Sequence, residues 1–173
     1  VEALPEELFN RNEDFDQKIR NRFMCDYEKA VDNQYEDWQD NPESCVALII
    51  LLDQFSRNLF RDDKKAFAQD YKARLITNEA IDRGYLEEIN LDQKHFMLLP
   101  LLHSEDISDH VYAQNLCNTY LKSHPQFNNI KKAWNDHTYA IKKFGRYPHR
   151  NKILGRTSTP EEKMFLQQPN SSW

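Results

Sequence analysis

Residues 48–61 read LIILLDQFSRNLFR, an apolar run that becomes amphipathic. At helical spacing Leu48, Leu52, Phe55 and Leu59 form a core stripe, and Asp53, Arg57 and Arg61 follow one another at i, i+4 and i+8 beside it. Every residue from Cys45 to Leu52 is apolar, so this helix is apolar nearly all round and belongs inside a bundle. Its polar residues would then face a pocket or a buried network, because an unpaired charge there costs several kcal/mol. The alternative is a solvated face carrying ion pairs worth about 0.3–0.5 kcal/mol each.

The flanks extend the helical pattern in both directions. Asn12 or Asp14 can cap a first helix whose face carries Phe15, Ile19, Phe23, Tyr27 and Val31, after an entry segment containing Pro5. Trp38–Asn41 breaks it, and Asn41-Pro42-Glu43 starts the organising helix with a cap, a first-turn proline and an acid at the positive end of the dipole. Arg61-Asp62-Asp63 is a tight connection, after which Phe67, Tyr71, Ile76, Ala80 and Ile81 predict a third helix, antiparallel to the second and stopped at Gly84. Asn90 opens a fourth, Leu91–His103, with Pro100 removing one backbone bond and predicting a kink. Asp106 or Ser108 starts a fifth, with Val111, Leu116, Tyr120 and Leu121 inward, closed by Ser123-His124-Pro125. A sixth carries Phe127, Ile130, Trp134, His137, Ile141 and Phe144 up to Gly145. Thr159 and Glu162 form a capping box for a last short helix, and residues 168–173 read as frayed.

The expectation is an all-α fold of stacked antiparallel helix hairpins in one domain over residues 1–173. At this length about 70% of the extended-chain surface can be buried without staples. No tetratricopeptide signature of 34-residue period is legible in the letters. The net charge of −5 is split, with 16 acidic and 7 basic side chains in residues 1–63 against 12 and 16 in residues 64–173. An acidic total argues against nucleic-acid binding, and no apolar run predicts a membrane span. Cys25, Cys45 and Cys117 lack CxxC spacing and read as free thiols in a reducing, cytoplasmic setting.

Three polar constellations remain. Gly145–Pro160 holds Arg146, His149, Arg150, Lys152 and Arg156 with no acid, so it can cradle an anion or clamp onto the acidic N-terminal half. His103-Ser104-Glu105-Asp106 gathers an imidazole and carboxylates at a helix end, either as caps or as part of a polar pocket, and its spacing matches no metal motif. His137 falls within an apolar stripe, as a core histidine or as an imidazole facing a groove. No pattern specifies a cofactor.

ILLDQFSRNLFR at 50–61, AFAQD at 66–70, LPLLHSED at 99–106, and FGRYPHRN followed by ILGRTSTPEE at 144–162 resemble the bacterial domain-of-unknown-function 924 family. The resemblance runs from about Phe15 to Leu166 and implies a fold similar to tetratricopeptide-like hairpins, with no reaction attached. Ser56 stands where the family usually has proline. The aromatic helix that usually opens the family is absent before Val1, which predicts a further upstream segment. The matching polar residues are Asp53, Gln54, Arg57, Asn58, Arg61, His103, Ser104, Glu105, Arg146, His149, Arg150, Asn151 and Arg156.

The first functional expectation is a polar pocket that binds a small anion or an acidic peptide end through Asp53, Arg57, Arg61, His137, Arg146, Arg150 and Arg156. The second is a hydrolase or phosphoryl-transfer enzyme in which His103 or His149 acts as general base, Glu105 orients it and arginines stabilise negative charge. The third is a protein-interaction scaffold whose charges only knit the loop to the bundle.

Overall fold

The computed structural model of the chain describes residues 12–169, 171 and 172, so the entry segment with Pro5 lies outside the described residues. The described part is all-α. Helix α1 spans Glu13–Val31, α2 Pro42–Ile50, α3 Ser56–Leu59, α4 Asp70–Asp82, α5 Leu91–Leu102, α6 Ile107–Tyr120, α7 Phe127–Phe144 and α8 Pro160–Phe165. Neighbours in sequence pack as stacked hairpins, α4 on α5, α5 on α6 and α6 on α7.

The starts follow the polar caps. Asn12 Oδ1 accepts from the Phe15 amide, Asn41 Oδ1 from those of Glu43 and Ser44, and Asn90 and Thr159 each close a capping box. Gly84 and Gly145, at φ +82° and +66°, supply the left-handed turns after α4 and α7. Pro100 sits inside α5, which continues to Leu102.

The apolar run is the middle of the molecule. Val46, Leu48, Ile49, Leu51 and Leu52 are buried with Leu98, Leu101 and Leu102 of α5 in the main core. Burying one such side chain stabilises the fold by about 1.5–3 kcal/mol. A second cluster joins Leu59 to Phe15, Ile19 and Tyr27 of α1, and a third joins Tyr147 and Phe165 to Ala140 and Ile141 of α7.

Several expectations are corrected. The helix does not run regularly through the ladder: Leu51–Phe55 is a π turn between α2 and α3. The helix then ends at Leu59, so Arg61 leaves the ladder and pairs with Asp16 of α1 at 2.7 Å. Phe67 belongs to a 3₁₀ turn, Lys64–Phe67, and α4 begins only at Asp70. Val111, expected inward, is 51% exposed, and Tyr71, in the pattern that predicted the third helix, is 65% exposed, because each lies on the outer side of its helix while Ala73, Ile76 and Ala113 fill the core. Near the C-terminus Ser171 is buried, its hydroxyl donating to the Leu166 carbonyl at 3.2 Å.

Candidate functional site

The π turn shapes the site. By widening the helix at Leu51–Phe55 it holds Asp53 where the side chain is fully buried, and such turns recur at functional positions. Ser56, in the first turn beyond it, donates to the Asp53 carbonyl at 2.8 Å and also lies 3.0 Å from the Ala66 carbonyl. That links the π turn to the Lys64–Phe67 segment.

The Asp53 carboxylate has three neighbours. Gln54 Nε2 donates to Oδ2, Arg57 Nη1 lies 3.4 Å from Oδ1, and His103 Nδ1 lies 2.7 Å from Oδ1. Burial alone would raise its pKa, but Arg57 and His103 outweigh burial and hold the carboxyl well below the usual range. With the carboxylate ionised, His103 Nδ1 carries the proton and donates, leaving the Nε2 lone pair. Burial also lowers the His103 pKa against the pull of Asp53, so the ring is neutral at pH 7. Its Nε2 makes no hydrogen bond among the described residues.

Asp70 at the head of α4 is the second hub. Arg57 Nη2 reaches its oxygens at 3.1 and 3.2 Å, and Arg150 Nη1 reaches Oδ2 at 3.0 Å. The Arg150 guanidinium also lies 4.5 Å from the Phe67 ring centroid and 4.7 Å from that of Tyr147, a cation between two aromatic faces. Burial pulls the Arg150 pKa down while Asp70 opposes it.

The basic loop is tied down elsewhere. Arg156 meets Glu105 at 2.6 and 3.0 Å, and Glu105 Oε1 also accepts from the Tyr147 amide at 2.8 Å. Glu105 therefore anchors the loop, and Asp53, not Glu105, orients His103. Arg146 grips Glu162 of α8 with two bonds of 2.7 and 2.9 Å. Those bonds, with the Thr159 amide and Asn151, pull the Glu162 pKa down to about 2 against the effect of burial. Tyr147 donates its hydroxyl to the Leu102 carbonyl and is ringed by imidazoles, with His149 5.3 Å, His137 5.9 Å and His110 6.2 Å away between centroids. His137 Nδ1 donates to the Ala133 carbonyl at 2.7 Å. Burial, then Arg150 and Arg57, press the His149 pKa to about 3.

A cavity of about 1170 Å³ opens beside these hubs, above the range of about 300–1,000 Å³ common for small-molecule sites. Of the sequence-predicted residues, the whole His103–Asp106 corner and Arg150 line it. Asp53 and Arg57 stand behind His103 and Arg150, whereas Arg61, Arg146 and Arg156 are engaged by Asp16, Glu162 and Glu105. Sequence reasoning passed over Asp70, Phe67 and the rim cations Lys64, Lys65 and Lys142. Asp70 had a signal, since AFAQD is among the shared motifs, but an acid at a helix start is explained by the dipole alone. Among the described residues no group of three or more His, Cys, Asp or Glu side chains is placed to hold a metal ion, and no helix is long and apolar enough to cross a membrane.

The family model of DUF924, a bacterial protein of unknown function, matches residues 1–170. The chain belongs to the DUF924 family. Among solved structures it is similar to the protein of unknown function ATU0120 from Agrobacterium tumefaciens, at 34% identity and a TM-score of 0.83. The likeness covers 94% of this chain and 89% of that one. No curated protein matches it. Asp53, Arg57, Asp70, His103, Glu105, Arg150 and Arg156, all in the motifs that resemble DUF924, come together from four separate stretches of this chain.

Proposed function

We propose that this DUF924 chain binds a small anion, a phosphate or a carboxylate, in the cavity between the Lys64–Phe67 turn, the end of α5 and the Gly145–Leu154 loop. The charge of the wall carries the reading. Lys64, Lys65, Arg74, Lys142 and Arg150 line it against Asp70, Glu105 and Asp106, in a chain whose net charge is −5. Lys64, Lys65 and Lys142 make no ion pair among the described residues. A concave wall with an excess of one sign concentrates ligands of the other. Asp53 and Asp70 together balance Arg57 and Arg150, so the excess positive charge of the wall comes from the three lysines.

Thermal shift with inorganic phosphate and small carboxylates tests this reading. A ligand at 100 times its Kd adds about 2.7 kcal/mol, which at this size raises Tm by roughly 5–10 °C. A selective rise that is lost in a Lys64→Ala/Lys142→Ala double variant supports the site, and no rise with any anion overturns it. An acidic peptide serves as competitor and separates a free anion from an acidic protein segment.

The bonding of Arg146 and Arg156 supports a different role for those two. Each grips one carboxylate with two bonds, so they clamp the loop to α8 and to the α5–α6 corner. The cysteines are free, which supports a reducing, cytoplasmic setting.

A further inference from the structure

We infer that His103 is the general base of a hydrolytic site in this cavity, one that cleaves a carboxylic ester bearing an anionic group. The inference rests on the cavity's being a ligand site and adds the chemistry done there.

His103 differs in its bonding from other histidines of the chain. His110 has both nitrogens engaged, Nε2 with the Ser104 carbonyl at 2.8 Å and Nδ1 with Thr138 Oγ1 at 3.2 Å. His124 also uses both, with Asp92 at 2.9 Å and the Gln126 amide at 3.0 Å. His103 has Nδ1 held by a carboxylate that is itself fully buried, Nε2 without a partner among the described residues, and its side chain on the cavity wall at 13% exposure. A tie between α5 and the π turn needs only the first of these features.

The surroundings suit proton transfer. Gln54 and Arg57 fix the Asp53 carboxylate, so it selects the Nδ1–H tautomer and stabilises the imidazolium once Nε2 has taken a proton. A neutral ring at pH 7 is ready to act as base. Arg150 and the wall lysines supply positive charge for the anionic group of the substrate and for the oxyanion. Water at Nε2 gives up a proton to that nitrogen as its oxygen bonds to the acyl carbon, and the carbonyl electron pair moves onto oxygen. The pair then returns, the bond from carbon to the alkoxy oxygen breaks, and the leaving alkoxide takes the proton from Nε2. Ester and water become acid and alcohol, and His103 is again neutral. Asp53 is a positioning residue in this scheme.

The test uses the purified chain with para-nitrophenyl acetate and the anionic mono-para-nitrophenyl succinate. The expected result is nitrophenolate release above the buffer rate and faster with the succinate. The rate falls at least 100-fold in His103→Ala, and added imidazole restores it beyond imidazole's own rate in buffer. The activity declines with acid below pH 6.5 as His103 protonates, and Asp53→Glu moves that midpoint, a shift that a purely structural role would not give. A His103→Gln variant with unchanged Tm keeps the comparison free of folding loss. No release from either ester, or an undiminished rate in His103→Gln, overturns the proposal. Loss in His103→Gln with equal rates on both esters overturns the anionic substrate class, while the anion-binding reading stands or falls separately on the phosphate thermal shift.

Discussion

His103 meets Asp53 at 2.7 Å and His124 meets Asp92 at 2.9 Å, yet the first carboxylate is fully buried and the second is 84% exposed. The donor and acceptor types are the same. At the second pair, His124 closes the α6–α7 turn by accepting the Gln126 amide through Nδ1 and ties that turn to the start of α5 by giving its Nε2–H to Asp92, which leaves no nitrogen for a ligand. At the first, the buried carboxylate takes one nitrogen and leaves the other without a partner among the described residues, on a side chain that lines the cavity. Burial, more than proximity, separates a turn closure from a poised imidazole.

Removing each carboxylate is the strongest way to break that comparison. Asp53→Ala takes away one of the two carboxylates of Arg57 and the acceptor that holds His103, and is expected to cost about 3–5 kcal/mol in urea denaturation. Asp92→Ala is expected to stay within about 0.5 kcal/mol. Equal costs would mean that burial does not distinguish the pairs.

Acid titration sharpens the comparison at the next scale. Burial lowers the pKa of His149 to about 3 and of His95 to about 4, with neighbouring cations adding to the first and His124 to the second. Below about pH 6.5 the unfolded chain therefore binds protons that the native chain does not. Stability then falls with acid by about 1.4 kcal/mol per pH unit for each such group. The Tm is expected to drop between pH 6.5 and 4, and His95→Gln should flatten that slope. Asp53, whose pKa is lowered, keeps its contribution down to about pH 4 and loses it only below. A Tm flat from pH 7 to 4 would contradict the placement of these imidazoles.

Smaller effects belong to the loop and the rim. Thr159→Ala removes the hydroxyl that accepts the Glu162 amide, leaving the Thr159 amide bond to the Glu162 carboxylate, and is expected to cost about 1 kcal/mol in urea denaturation. Lys64→Ala and Lys142→Ala each leave stability within about 0.5 kcal/mol while weakening phosphate binding in thermal shift. A stability loss there would turn the rim lysines into clamps like Arg146.

The helices and their starts were legible because the interactions that decide them span only a few residues. Asn41-Pro42-Glu43, Asn90 with Gln93, and Thr159 with Glu162 satisfy backbone amides two or three positions away. The apolar run 45–52 similarly declares its own burial. The π turn was not legible: its letters fit a regular helix, and the Asp53–Arg57 contact at i, i+4 survives it. Val111 misled because a few apolar residues on a helix do not by themselves say which side meets a neighbour.

The candidate site was half legible. His103, Glu105 and Arg150 were picked out as polar residues beside apolar ones, but their partners were not. Glu105 stands two residues from His103 in sequence, while the carboxylate that holds His103 is 50 residues away and that of Arg150 is 80 away. Asp70 looked like an ordinary first-turn acid until two arginines were seen to converge on it.

The sequence by itself determined that the chain is helical, where most helices begin, and that Leu48–Leu52 lies inside, since local hydrogen bonding and apolar periodicity carry that information. Only the tertiary structure decided which of several nearby acids each cation meets, which nitrogen of His103 a carboxylate holds, and which arginines are spent as clamps. Those outcomes depend on how the hairpins stack, and the energies involved are set by burial that no residue achieves alone.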